Sequence, residues 1–150
     1  MKTIFNQQES EGLVERIDIL SKENSAQWGK MNAYQMIKHC IESENMYLGN
    51  VKLKRLFIGK LFGKMALKGM VNDDRPLGHG KPTHPTFKIT GNGKVEELKE
   101  EWIELIKQYN VRSEDNFRDF EHPFFGKMTK QQLGVSVFKH IDHHLRQFGV

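Results

Sequence analysis

The stretch that decides the fold is Thr129-Lys130-Gln131-Gln132-Leu133-Gly134-Val135-Ser136-Val137-Phe138-Lys139-His140-Ile141-Asp142-His143-His144-Leu145-Arg146-Gln147-Phe148. Its Thr-Lys-Gln-Gln opening matches a capping box. Turned at about 100° per residue, Leu133, Val137, Ile141 and Phe148 fall on one side, with Leu145 at the margin. The pattern predicts a long amphipathic helix running almost to Val150. On the same projection His144 lies inside the apolar arc and His140 at its edge, while Asp142 and His143 point away. Two imidazoles therefore face the core from consecutive turns.

Outward from this helix, apolar residues recur at three, four and seven, so the class is all-α. A first helix is expected from about Gln7 to Ser21, with Leu13, Ile17 and Leu20 inward. A second starts after Asn32 as N-cap, carries Ala33, Met36, Ile37, Cys40, Ile41, Tyr47 and Leu48, and stops at Gly49-Asn50. A further helix from Val95 to Tyr109 sets Val95, Leu98, Trp102, Leu105, Ile106 and Tyr109 on one stripe. Between the second helix and this one, residues 51–70 predict a basic amphipathic helix weakened by Gly59, Gly63 and Gly69, too poor for a main bundle element. Arg75 to Pro85 reads as a proline-rich loop, Phe87 to Thr90 as a short extended piece, and Gly91-Asn92-Gly93 as a turn. The expectation is a single domain over residues 1–150: a four-helix bundle whose long second connection carries a short extra helix.

Composition limits the chemistry. One cysteine among 150 residues, Cys40, excludes an intrachain disulfide and any CxxC metal or redox site, so metal chemistry must use histidine or carboxylate. Cys40, Trp28 and Trp102 are expected as packing residues. The most apolar stretch, Leu56 to Met70, is interrupted by three lysines and is shorter than a membrane span. The first residues lack a secretory pattern, and a cytoplasmic address is expected. Net charge is +4, but Lys52, Lys54, Arg55, Lys60, Lys64 and Lys68 lie in a segment with no acid, and without these six the balance is −2.

There are seven histidines. An i,i+4 pair such as His140 and His144 holds its Cβ atoms about 5–6 Å apart, close enough for both rings to reach one ion. A third ligand should come from a facing helix. His39, on the second helix, borders the core; its position permits convergence without requiring it. The plainer alternative is a pair of hydrogen-bonded core histidines with His39 at the surface. His79 and His84 are expected in solvent.

Three stretches resemble the DinB-like (DinB/YfiT) superfamily of metal-binding four-helix bundles, in a subgroup of unassigned function: 28–39 leading into the second helix, His122-Pro123-Phe124-Phe125-Gly126-Lys127-Met128-Thr129, and His140-Ile141-Asp142-His143-His144-Leu145-Arg146-Gln147. The resemblance implies a divalent metal on His39, His140 and His144. Three imidazoles suit Zn²⁺ or Ni²⁺ and leave a position for water or a small-molecule substrate. It also implies an enzyme that transfers, or isomerises with, a low-molecular-weight thiol. Where the superfamily often continues the pair with arginine, glycine and glutamine, this chain reads Leu145-Arg146-Gln147, with the arginine shifted by one. Candidate cofactor-binding residues around the metal are Glu44, on the buried side of the second helix, Gln147, one turn past His140, and His122, which either stabilises its turn or contacts substrate. No residue is assigned as catalytic.

The alternative function is a non-catalytic bundle that binds an anionic membrane surface or nucleic acid through the basic segment 51–70. A solvated face is the commoner meaning of such a run. No recognition helix or RNA-binding motif accompanies it, so a stable nucleic-acid partner is not expected, and pairing of two copies is left open. Phosphate loop, Rossmann and GxSxG signatures are absent.

Overall fold

The computed structural model describes residues 1–81, 83–112, 114–117 and 119–150, with Glu114 and Asp115 described by backbone alone. Pro82, in the expected proline-rich loop, lies outside the described residues. The long helices are α1 (Gln7–Ile19), α2 (Ala33–Tyr47), α3 (Phe57–Met70), α4 (Val95–Val111) and α5 (Lys130–Gln147). Helices α1, α2 and α5 begin where the sequence supplies a cap, whereas α3 and α4 begin without a side-chain cap. The Asn6 side chain accepts from the Glu9 N–H, and both α2 and α5 close full capping boxes, Asn32 with Gln35 and Thr129 with Gln132. At its far end α1 stops two residues earlier than Ser21. Leu20 leaves the helix in extended conformation, which carries its side chain into the core while Ile19 stays exposed.

Helices α1, α2, α4 and α5 close the bundle, with α2 packed on α4 and α5, and α1 packed on the same two. The shared core includes Leu13, Ile17, Met36, Ile37, Ile41, Trp102, Ile106, Leu133, Val137, Ile141 and Leu145. Among the described residues the chain is all-α apart from one hairpin of two-residue strands, β1 (Glu121–His122) against β2 (Gly126–Lys127). Among the described residues no helix is long and apolar enough to cross a membrane.

Two local expectations need correction. The extended piece at Phe87–Thr90 is preceded by a 3₁₀ turn, Pro85–Phe87, and no strand forms there. Pro85 fixes φ for the first position of the turn, and the His84 imidazole accepts the Thr86 N–H across it. Buried Phe87 is thereby turned toward α2. The second correction is the hairpin at 121–127, where the sequence suggests only a connection. Its turn is held from within, because His122 Nδ1 accepts the N–H groups of Phe124 and Phe125, both at 3.1 Å.

Helix α3 forms within the basic segment but starts only at Phe57, leaving residues 51–56 of the expected helix outside it, and it stays outside the bundle, against the hairpin. Its inward face is Gly59 and Gly63 against the hairpin, followed by Leu67, which is buried in the core. A Cβ at Gly59 would lie 2.5 Å from the Phe124 carbonyl oxygen, and one at Gly63 would lie 2.0 Å from it. Arg55, just ahead of the helix, donates from Nη1 to the carbonyls of His122, Pro123 and Phe124. At the other end buried Lys139, from α5, donates to the carbonyls of Met70 and Asp73.

This contact makes two glycines of one helix differ. Gly63→Ala is expected to lower the free energy of urea unfolding by about 1–3 kcal/mol, because hairpin backbone and helix must separate. Gly69→Ala, with nothing within 4 Å of its added Cβ, is expected to leave stability unchanged or slightly raised. Equal effects of the two substitutions would contradict the packing.

Candidate metal centre

His39 projects from the middle of α2, and His140 and His144 from consecutive turns of the facing helix α5. The amphipathic patterns that build the bundle bring all three to one place. His39 and His144 are buried and His140 is partly buried. One ring nitrogen from each lies within 4.8 Å of the other two, and His39 Nε2 stands 3.1 Å from His140 Nε2. Two nitrogens about 2.0–2.1 Å from one Zn²⁺ are themselves about 3 Å apart when the angle at the ion lies near or somewhat above 90°. The observed pair has that spacing.

The outward nitrogens decide what the inward ones can do. Nδ1 of His39 donates to the carbonyl oxygen of Phe87 at 3.0 Å. Nδ1 of His144 donates to Gln147 Oε1 at 2.9 Å, and the Gln147 amide is oriented by its own donation to the Trp28 carbonyl at 2.7 Å. A neutral imidazole carries one proton. With that proton fixed on Nδ1, each ring presents a bare Nε2 lone pair to the centre. Nδ1 of His140 is buried and has no hydrogen-bond partner among the described residues.

Burial also keeps the rings uncharged. It pushes the His144 pKa down to about 3, with His39 adding to the effect and Gln147 opposing it. His140 is held well below the usual imidazole range, first by burial and then by its histidine neighbours. His39 is lowered by burial, against the opposing bond to Phe87. Three neutral nitrogen donors, two with fixed tautomers and one with an unmatched ring nitrogen, fit a divalent cation of borderline softness.

The other expected site residues do not all join this cluster. Gln147 is in it, through His144. His122 spends its Nδ1 on the hairpin turn, and burial, followed by Arg55 and His84, lowers its pKa to about 3. Glu44 is completely buried on α2 but turns to α4, where its Oε2 accepts the Tyr109 hydroxyl at 2.6 Å and its Oε1 has no partner among the described residues. Among the described residues no hydrogen bond of Glu44 reaches a histidine.

Sequence reasoning did not anticipate Phe87 and Trp28 as sources of backbone carbonyls, since a carbonyl has no residue-type signature. It also left His79 in solvent. That ring is exposed but stacks on Trp28 at 3.8 Å between centroids, with His143 edge-on to both. Gly29 follows Trp28 with φ +85°, and a Cβ there would lie 2.7 Å from Gln147 Nε2.

A family model described as the DinB superfamily matches residues 6–148. No curated protein and no solved structure matches the chain.

Glu44 supplies a pH-dependent test of the buried geometry. Burial raises its pKa from 4.5 to about 8, with the Tyr109 hydrogen bond opposing the rise; Cys40, Tyr47, Tyr109 and Arg112 are the titratable groups around it. A folded-state pKa above the unfolded one means that the folded chain holds the extra proton. The Glu44 contribution is thus complete below pH 4.5 and is lost as pH rises toward 8. Glu44→Gln removes the titration. The variant's stability minus that of the native chain should grow by about 3–4 kcal/mol between pH 5 and pH 8 in urea unfolding. A difference that stays flat over that window would show that Glu44 is not held protonated.

Proposed function

Because the chain belongs to the DinB superfamily, we propose that His39, His140 and His144 hold a divalent metal, Zn²⁺ or Ni²⁺, at a site that handles a low-molecular-weight thiol. The observation that carries this is the convergence of three ring nitrogens within 4.8 Å, two of them with Nδ1 already committed to other acceptors. A bound divalent ion would supply Lewis acidity, lowering the pKa of a thiol or water that occupies its remaining position.

The chain's own groups prepare that position. Three neutral ligands contribute no negative charge, so the positive charge of the site stays available to an anionic sulfur. Three protein ligands leave a tetrahedral set incomplete, which suits exchange of small molecules better than a purely structural role. Gln147 acts as a positioning residue by holding the His144 ring by its Nδ1 proton, and the Phe87 carbonyl does the same for His39. His122 is assigned to the hairpin and Glu44 to the α2–α4 contact. The reaction class is transfer of, or isomerisation with, a thiol; in both, the S–H bond breaks and its proton goes to solvent. In transfer, sulfur bonds to an electrophilic carbon as the bond from that carbon to its leaving group breaks, and the leaving group departs with the electron pair. In isomerisation, sulfur adds to a carbon–carbon double bond, whose π pair moves onto the substrate, and the same carbon–sulfur bond breaks again to return the thiol. The cytoplasm, where low-molecular-weight thiols are kept reduced, is the compartment this chemistry suits.

Metal analysis of the purified protein should find one divalent ion per chain, lost in His144→Ala and retained in His143→Ala. An equal metal content in the native chain and His144→Ala would disprove the ligand assignment. Gln147→Ala should weaken metal affinity by about 10- to 100-fold, read by competition with a chelator. In the Co²⁺-substituted protein, a thiol that enters the open position should add a sulfur-to-metal charge-transfer band. A metal-loaded protein that shows no such band and transfers no cellular thiol would end the enzyme proposal.

A further inference from the structure

Helix α3 buries its small face and exposes its large one. Gly59 and Gly63 press on the Phe124 backbone, whereas Phe57, Leu61 and Met65 are 75%, 64% and 70% exposed, and Ile58 and Phe62 lie out with them. At about 100° per residue, Phe57, Leu61, Met65 and Ile58 form one continuous stripe opposite the glycines. Of the large apolar side chains on this helix, folding buries Leu67 and leaves these five exposed. A contiguous exposed apolar surface of this kind marks an interaction site.

The charges around the stripe decide its partner. Lys60, Lys64 and Lys68 descend one flank, with the Lys64 ammonium donating to the Lys127 carbonyl of the hairpin, Lys52 and Lys54 lie just before the helix, and all five are exposed. No acid occurs between Glu44 and Asp73. Pairing two copies face to face by a two-fold axis across the helix would bring these lysines against their own images, and an axis along the helix would give them no acid of the partner's segment to meet. Single-stranded nucleic acid would meet the lysines and could stack on Phe57 and Phe62, but it would leave the aliphatic part of the stripe, Ile58, Leu61 and Met65, uncovered. A surface with negative charge outside and hydrocarbon beneath satisfies both halves of the pattern. From this we propose that α3 is a membrane-surface helix, which lays Phe57, Leu61 and Met65 into the interface of an anionic bilayer while its lysines meet lipid headgroups. The Arg55 clamp and the Lys139 contacts hold the helix to the body of the protein, so the whole bundle is carried to the surface with it.

The test uses the full chain and vesicles of phosphatidylcholine with or without phosphatidylserine, in a flotation assay. The native chain should float with the phosphatidylserine vesicles and remain in solution with phosphatidylcholine alone, and binding should fall as salt is raised. Leu61→Ser with Met65→Ser should weaken binding at least about tenfold, because the apolar contribution is lost. Lys60→Glu with Lys68→Glu should weaken it by more than about tenfold, each lysine near such a surface being worth about fivefold. All four positions are exposed, so far-ultraviolet circular dichroism should be unchanged. Metal content should not alter the result, which keeps this outcome separate from the fate of the histidine site. No flotation by the native chain would overturn the proposal, as would full binding by the Leu61, Met65 variant. It would also fail if that variant turned a dimer into a monomer while neither form bound vesicles, or if the native chain bound single-stranded DNA and no vesicles.

Discussion

A neutral imidazole has one proton to place on two nitrogens, and in a buried site that choice governs what the ring can do. Here it is made outside the cluster. The Phe87 carbonyl takes the Nδ1 proton of His39, and the Gln147 amide takes that of His144, so both rings turn a lone pair inward. Desolvation prevents the easier escape of picking up a second proton. Three uncharged donors facing one another is a costly way to fill a protein core unless something is shared between them. The bundle supplies the helices that carry the rings. The groups that orient two of them come from elements outside the four helix interiors: a 3₁₀ turn, a connection before α2 and the last turn of α5.

That division explains what the sequence revealed. Helical periodicity and the Asn32 and Thr129 caps located α2 and α5 to within a residue or two, and the same projections placed His144 inward and His140 at the edge of the buried arc. His39 was harder, because its angle put it at the border of the α2 apolar face. Only the crossing of α2 with α5 and the cover of Phe87 make it buried. The Phe87 region was misjudged because β-branched and aromatic residues followed the prolines, while the turn chemistry of His84 and Pro85 acted first. Glu44 had the right angle for the core but the wrong neighbour: periodicity says that a residue is inside, not which helix it meets there. Tyr109, four turns along α4, is what it meets.

Helix α3 shows a different division of labour. Its hydrophobic residues would ordinarily define the buried side, yet its two inward glycines allow hairpin backbone closer than any side chain could. The attachment is largely polar, through Arg55 and Lys139 and a row of carbonyl oxygens, and leaves the apolar stripe unused. The bundle thus has two chemically separate regions, one of neutral nitrogen donors enclosed by helices, the other of lysine and hydrocarbon at the surface.

Gly29 has no reactive group and lies on the surface, in a connection where most replacements would be expected to drift freely. Its left-handed backbone and the closeness of Gln147 Nε2 make it an exception. Any side chain there would shove the amide that steers His144, so a mutation at the most inert of residues would be inherited as a defect in the ligand sphere. Selection acting on the imidazoles would therefore leave part of its imprint on a residue that never touches them.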